Sequence, residues 1–178
     1  TNSMQNGDTI RLGMDPSIPT SAIYEYDSQD ADLSTAQGLQ ALIDRAAAET
    51  KDIDSVTITL PPVTYTEPVV LHTRSFSLTG TEENGKRTTF AAGIQMRDTD
   101  KSFWISYMDD IDFVGDGSGV GISAAGRLWT RTCRFSGWTT AILSFGHVWI
   151  YTPACTFEAT RLALHSNSAH TTVNSHIF

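Results

Sequence analysis

Phenylalanine recurs through the second half of this chain at Phe113, Phe135, Phe157 and Phe178, at intervals of 22, 22 and 21 residues. The segments that end on them read Ile111-Asp112-Phe113, Cys133-Arg134-Phe135, Cys155-Thr156-Phe157 and His176-Ile177-Phe178. A second aromatic keeps step six residues earlier, at Tyr107, Trp129 and Tyr151. An aliphatic column follows at Ile122, Ile142 and Leu164. A fixed period of this length belongs to solenoids, because one repeat cannot enclose its own apolar side and buries it against the next coil.

Strand alternation assigns a direction to each side chain in the repeat. Ile111 and Phe113 point inward, Asp112 and Val114 outward. One coil later Cys133 and Phe135 are inward, Arg134 and Ser136 outward; then Cys155 and Phe157 inward, Thr156 and Glu158 outward. A small residue closes each strand, at Gly115, Gly137 and Ala159, as a tight corner favours. Phe76-Ser77-Leu78-Thr79-Gly80 fits the same template, one longer coil upstream. Trp129, as a member of a repeated aromatic column, is expected in the core. Stacked in register, such strands form parallel sheets with like residues above like.

Upstream the pattern differs. Residues 1–33 form an irregular lead-in with room for one strand. Ser34-Thr35-Ala36-Gln37 fits a capping box, in which the Ser and Gln side chains satisfy free backbone N–H groups at a helix start. Leu39, Leu42, Ile43, Ala46 and Ala47 then share one helical face, and the helix should end near Thr50. From Val56 short strands take over: Val56-Thr57-Ile58-Thr59-Leu60 stops at Pro61-Pro62, and Val69-Val70-Leu71 and Phe76-Ser77-Leu78 follow. Residues 81–88 read as a polar turn. No second helix is long enough to build βαβ units. The prediction is all-β: a parallel β-helix of about five coils behind an N-terminal capping α-helix, over residues 34–178.

Here the chain resembles the pectate-lyase-like superfamily of right-handed parallel β-helices. The amphipathic helix over 39–48, the segment Val56-Thr57-Ile58-Thr59-Leu60-Pro61-Pro62-Val63-Thr64-Tyr65 and the 22-residue coils carry the likeness. Val63 departs from it, standing where that family commonly has Gly. The last beat, Phe178, lies within a strand, whereas members of the family run to many more coils. This leads us to expect truncation at the C-terminus and self-association through the open last coil. The resemblance implies a secreted or cell-surface, carbohydrate-active protein, similar to a polysaccharide lyase or glycoside hydrolase, or the N-terminal part of one. It equally admits a non-catalytic glycan-binding, adhesin or phage-tail-like module, so function has to be argued from a site.

The formal net charge of −8 disfavours nucleic acid and anionic membrane surfaces as partners. It also favours a neutral or cation-bridged polysaccharide or oligosaccharide over bare polygalacturonate. No apolar run approaches the roughly 18 residues of a membrane span.

Asp112 and Arg134 share an outward column on adjacent coils, about 4.8 Å apart. The resemblance makes them candidates for catalytic base and cation ligand; a plain surface ion pair is the alternative. Glu158 lies outward two coils from Asp112, compatible with the about 5–10 Å between the carboxylates of glycosidases. His165 should point outward opposite Leu164, above Leu143 and Ser123, where it would serve as a general base. Asp112, Arg134, Glu158 and His165 are thus the catalytic candidates. Trp138, after the Gly137 corner, and Arg131 are the candidates for substrate binding, Trp138 by stacking its indole on a sugar ring.

Asp109, Asp110, Asp112 and Asp116 form an acidic cluster of the oxygen-rich kind that suits Ca²⁺. Alternation separates Asp109 from Asp110, and the spacing is not that of an EF-hand, so a solvated acidic edge and no cofactor are expected, with bound calcium as the alternative. The glycine run from Gly115 to Gly121 lacks the Lys-Ser/Thr ending of a phosphate loop. Cys133 and Cys155 share an inward column as small core hydrophobes, and His147, His165, His170 and His176 do not flank them at zinc spacing.

Overall fold

The computed structural model describes residues 20–72, 74–96, 105–125, 127–145, 148–151, 155–158, 162–166 and 171–174, with 148–151, 163, 166 and 171–174 described by their backbone alone. Strand β1 (Ile23–Tyr26) leads to helix α1 (Ala36–Glu49). The first coil is β2 (Ser55–Thr59), β3 (Thr64–Tyr65) and β4 (Val69–Leu71). The second is β5 (Phe76–Thr79), a hairpin of β6 (Glu82–Glu83) and β7 (Lys86–Arg87), then β8 (Thr89–Phe90) and β9 (Ile94–Met96). The third is β10 (Ile105–Asp109), β11 (Asp112–Val114) and β12 (Val120–Ala124), and the fourth β13 (Arg127–Arg131), β14 (Arg134–Ser136) and β15 (Thr140–Ser144). The fifth is β16 (Val148–Tyr151), β17 (Thr156–Glu158) and β18 (Leu162–Ser166), and β19 (Thr171–Asn174) follows it.

Strands of successive coils pair in parallel and build three sheets. Sheet A runs β1-β2-β5-β10-β13-β16-β19, sheet B β3-β8-β11-β14-β17, and sheet C β4-β9-β12-β15-β18. The chain is therefore an all-β parallel solenoid with one N-terminal helix, as the repeat predicts.

The phenylalanine beat is a stack of rings inside sheet B. Phe113, Phe135 and Phe157 are register partners. Centroids are 4.7 Å apart between Phe113 and Phe135 and 5.0 Å between Phe135 and Phe157, both pairs 6° from parallel. Upstream the stack continues through Phe90, 5.7 Å from Phe113, and Tyr65, 4.8 Å from Phe90. Phe76 does not belong to it, against expectation: it lies in sheet A and pairs with Val56. An inward strand reads alike in any sheet, and the hairpin between β5 and β8 lengthens that coil. Gly115 and Gly137 do meet at a corner, where a Cβ on Gly115 would overlap the Gly137 carbonyl and the Trp138 ring. Ala159 and Phe178 lie outside the described residues.

The even beat in sheet B conceals unequal corners. Five residues separate β11 from β12, and three separate β14 from β15. The repeat thus falls to 20 residues in sheet A, where Trp129 pairs with Trp149 and Tyr151 with Arg131. It returns to 22 at Phe135 and Phe157. The expected column of Tyr107, Trp129 and Tyr151 is accordingly replaced by Tyr107, Trp129 and Trp149.

Helix α1 closes the N-terminal end of the stack. Its cap is Thr35 rather than Ser34: Thr35 Oγ1 accepts from the Gly38 N–H at 3.1 Å, while the Ser34 hydroxyl donates to Asp32 at 2.6 Å. Leu39, Leu42, Ile43 and Ala46 are buried on the first coil. β4 is an edge strand of sheet C, and Gln40 of α1 covers it. The Gln40 amide donates to the Val70 carbonyl at 2.9 Å and accepts from the Val70 N–H at 2.8 Å, standing in for a further strand.

Asp54, 2% exposed, ties β1 to the turn before β2. Its carboxylate accepts from the Lys51 N–H at 2.8 Å and the Ala22 N–H at 2.9 Å. These bonds, that from Lys51 foremost, hold its pKa below the ordinary carboxylate value. A folded pKa below the unfolded value of about 3.9 means that the ionised form stabilises the fold above that pH. That contribution fades as pH falls through the folded value. The stability gap between wild type and Asp54→Asn, measured by urea unfolding, is therefore expected to narrow from about pH 7 to about pH 3. A gap that stays constant contradicts the assignment.

Candidate functional site

Sheet B places Asp112 and Arg134 side by side, as register partners with Arg134 Nε 3.8 Å from Asp112 Oδ1. A nearer partner takes the same oxygen. Arg87, at the end of the β6–β7 hairpin, donates to Asp112 Oδ1 through Nε at 2.8 Å and to the Thr132 carbonyl through Nη2 at 3.0 Å. Asp112 is thus clamped between two guanidiniums, with its side chain 18% exposed. Glu158 pairs with Ser136, whereas Arg134 pairs with Thr156. Two coils and two positions along the strand set the Cα atoms of Asp112 and Glu158 about 12 Å apart.

The other candidates lie elsewhere. His165 is exposed on sheet C, paired with Leu143, which pairs in turn with Ser123. Arg131 is on sheet A, where it grips Asp109 with both arms, Nε at 2.9 Å and Nη2 at 3.0 Å. That bond pushes the Arg131 pKa upward. Trp138 is not a platform: it is 4% exposed, and its indole N–H donates to the Phe113 carbonyl at 3.0 Å. Gly115 and Gly121 leave the space its ring fills. The six residues are therefore dispersed over three sheets and the core, and do not converge.

The acidic cluster is also dispersed. Asp109 holds Arg131, Asp112 holds Arg87, and Asp116 accepts from the Ser118 N–H at 3.1 Å and hydroxyl at 2.7 Å. Among the described residues no three His, Cys, Asp or Glu side chains are grouped to hold a metal ion. Cys133 and Cys155 are free thiols in the core. Burial pushes the Cys133 thiol upward, away from the reactive thiolate.

A different surface gathers chemistry, the outer face of sheet A. Trp129, expected in the core, and its register partner Tyr107 are only partly buried, while their neighbours Met108 and Leu128 are fully enclosed. The rings are 5.9 Å apart and 31° from parallel, more open than the phenylalanine stack. Beside them, two positions on, lies the Asp109–Arg131 pair. Toward the N-terminal end β5 sets only Ser77 and Thr79 on this side, with Ser75 just before the strand; Ser75 and Ser77 are buried and Thr79 is partly exposed. The Ser75 hydroxyl donates to the Ile105 carbonyl at 2.7 Å, and Ser77 Oγ accepts from the Tyr107 N–H at 3.0 Å. Beyond β5 the face dips into two adjoining depressions. One, of about 320 Å³, is lined by Glu25, Tyr26, Asp27, Thr57 and Thr59. The other, of about 300 Å³, is lined by Asp27, Ser28, Gln29, Thr59, Leu60, Pro61 and Thr81.

The phase error at Trp129 has a backbone cause. Asp110 (φ 61°) and Thr132 (φ 54°) adopt the left-handed conformation at the corner between sheets A and B. Such a corner resets the inside–outside alternation, so the aromatic column need not share the inward side of the phenylalanine column that it keeps step with. Alternation within β10 and β13 alone, from the apolar Met108 and Leu128, points to the correct side.

Comparison of the chain with protein-family models, curated proteins and solved structures finds no match in any of the three.

Proposed function

We propose that this chain is a secreted or cell-surface glycan-binding β-helix module whose contact surface is the outer face of sheet A. One observation carries the reading: two partly exposed aromatic rings on adjacent coils stand next to a bidentate carboxylate–guanidinium pair. Aromatic faces take the C–H faces of sugar rings, and an ion-paired Asp and Arg still offer lone pairs and N–H groups to hydroxyls. A β-solenoid is a scaffold often used for carbohydrate activity, which agrees with this surface without choosing it.

The catalytic alternative needs the carboxylates of sheet B. Asp112 is engaged by Arg87 and Arg134, and Glu158 stands in another column. Binding without turnover therefore fits the geometry better. In a calorimetric screen against soluble polysaccharides, Trp129→Ala is expected to weaken binding about tenfold, near 1.4 kcal/mol. Arg134→Ala should leave it unchanged. Release of reducing ends or unsaturated products by wild type, abolished in Asp112→Asn or Glu158→Gln, would reinstate the enzyme reading.

A further inference from the structure

We infer that the ligand of sheet A is a linear, uncharged hexose polymer lying along the solenoid axis, one sugar to each coil. This rests on the glycan-binding reading above, to which it adds direction, length and charge.

Direction follows from the register. Tyr107 and Trp129 occupy one column on neighbouring strands, so their backbones are about 4.8 Å apart along the axis. That rise is close to the length of one hexose in an extended β-linked chain. A chain lying along the strand direction would instead cross Ile105, Tyr107 and Asp109, meeting one ring and then a carboxylate already held by Arg131. Only the lengthwise path meets both rings.

Length follows from what continues that path. From Trp129 and Tyr107 it crosses β5, where Ser77 lies low at 8% exposed and Thr79 is the partly exposed side chain, so no large group stands in its way. It then enters the depressions over β2 and β1, lined by Glu25, Thr57 and Thr59. From β13 to β1 the sheet takes four strand steps. These span about 19 Å, the length of about four hexoses.

Charge follows from the two ends. At the aromatic end Asp109 is neutralised by Arg131. The far end carries Glu25 and Asp27, and no cationic side chain lines either depression among the described residues. A uronate polymer would meet like charge there, in a chain whose net charge is already −8. Hydroxyl groups instead find acceptors in Glu25, Thr57 and Thr59.

The test uses linear β-1,4-linked gluco- and manno-oligosaccharides of two to six units, with galacturonate oligomers of the same lengths, titrated calorimetrically into the whole chain. Affinity for the neutral probes is expected to rise with each unit up to about four and then level. Glu25→Ala should weaken the four-unit probe about threefold and leave the two-unit probe unaffected, whereas Trp129→Ala should weaken both. Equal affinity for two and six units, with Glu25→Ala silent throughout, would overturn the lengthwise path and leave the glycan site standing. Binding confined to the galacturonates would overturn the uncharged class. Indifference of every probe to Trp129→Ala would overturn the glycan-binding reading itself.

Discussion

Phe135→Ala is expected to destabilise the solenoid by about 3–5 kcal/mol, a large share of the about 5–15 kcal/mol that holds a typical domain. Phe135 is 1% exposed and lies between Phe113 at 4.7 Å and Phe157 at 5.0 Å. Truncating it deletes the middle ring of a stack and leaves a void walled on both sides by parallel rings. Those walls cannot close in, because β11, β14 and β17 are fixed at ladder spacing by their hydrogen bonds. Gly121 also packs close to this ring: a Cβ there would lie 3.4 Å from it. Phe157 is only partly buried, so Phe157→Ala should cost less. Phe135→Leu, which refills most of the volume, should cost under about 1.5 kcal/mol. Urea midpoints for the three variants check the order. A cost for Phe135→Ala below about 1.5 kcal/mol, or equal to that of Phe157→Ala, is incompatible with a rigid stack.

That stack was the most legible part of the chain, and the reason is local. In sheet B the two residues lost at the corner after Ser136 are restored before Thr156, so Phe113, Phe135 and Phe157 keep an even beat. The same evenness fixes the inward side of Cys133 and Cys155 and the pairing of Asp112 with Arg134. Phe90 and Tyr65 were hidden because they stand 23 and then 25 residues upstream, after coils of other lengths. The site was less legible, for three distinct physical reasons. Left-handed Asp110 and Thr132 reverse the alternation between sheets, so the repeated column that placed Trp129 in the core faces outward while the phenylalanines face inward. Trp138 is buried by the absence of side chains at Gly115 and Gly121, and no count of apolar residues registers an absence. The Asn84-Gly85 turn, with φ of 54° and 78°, is recognisable as a hairpin signal. Where that hairpin delivers Arg87 is not, because its contact with Asp112 spans 25 residues.

Arg74→Met is expected to cost about 3–4 kcal/mol, through hydrogen bonds rather than volume. The last carbonyls of a helix have no partner within it, and α1 has no basic residue in its last turn to supply one. Arg74, from the start of the second coil and 6% exposed, supplies it instead. Nη1 donates to the Ala47 carbonyl at 3.3 Å and the Thr50 carbonyl at 3.4 Å; Nη2 donates to Thr50 Oγ1 and to the Asp54 carbonyl at 3.2 Å. The guanidinium lies 5.3 Å from the Phe76 ring centroid, and its charge faces the negative end of the helix. Burial lowers its pKa, and Asp52 and Asp54 oppose that shift. Methionine keeps the apolar stem but leaves four oxygens unanswered. Since Asp54 also holds Ala22 beside β1, the loosening should reach the strand that carries Glu25. Hydrogen exchange should therefore quicken in α1 and β1 before it does in β11 and β14, where Arg74 has no contact. Arg74→Lys, with one ammonium in place of a planar fork, should recover less than half of the loss. Full recovery by lysine would show that charge alone suffices. A cost under about 1 kcal/mol for methionine would show that the helix end is satisfied by other means.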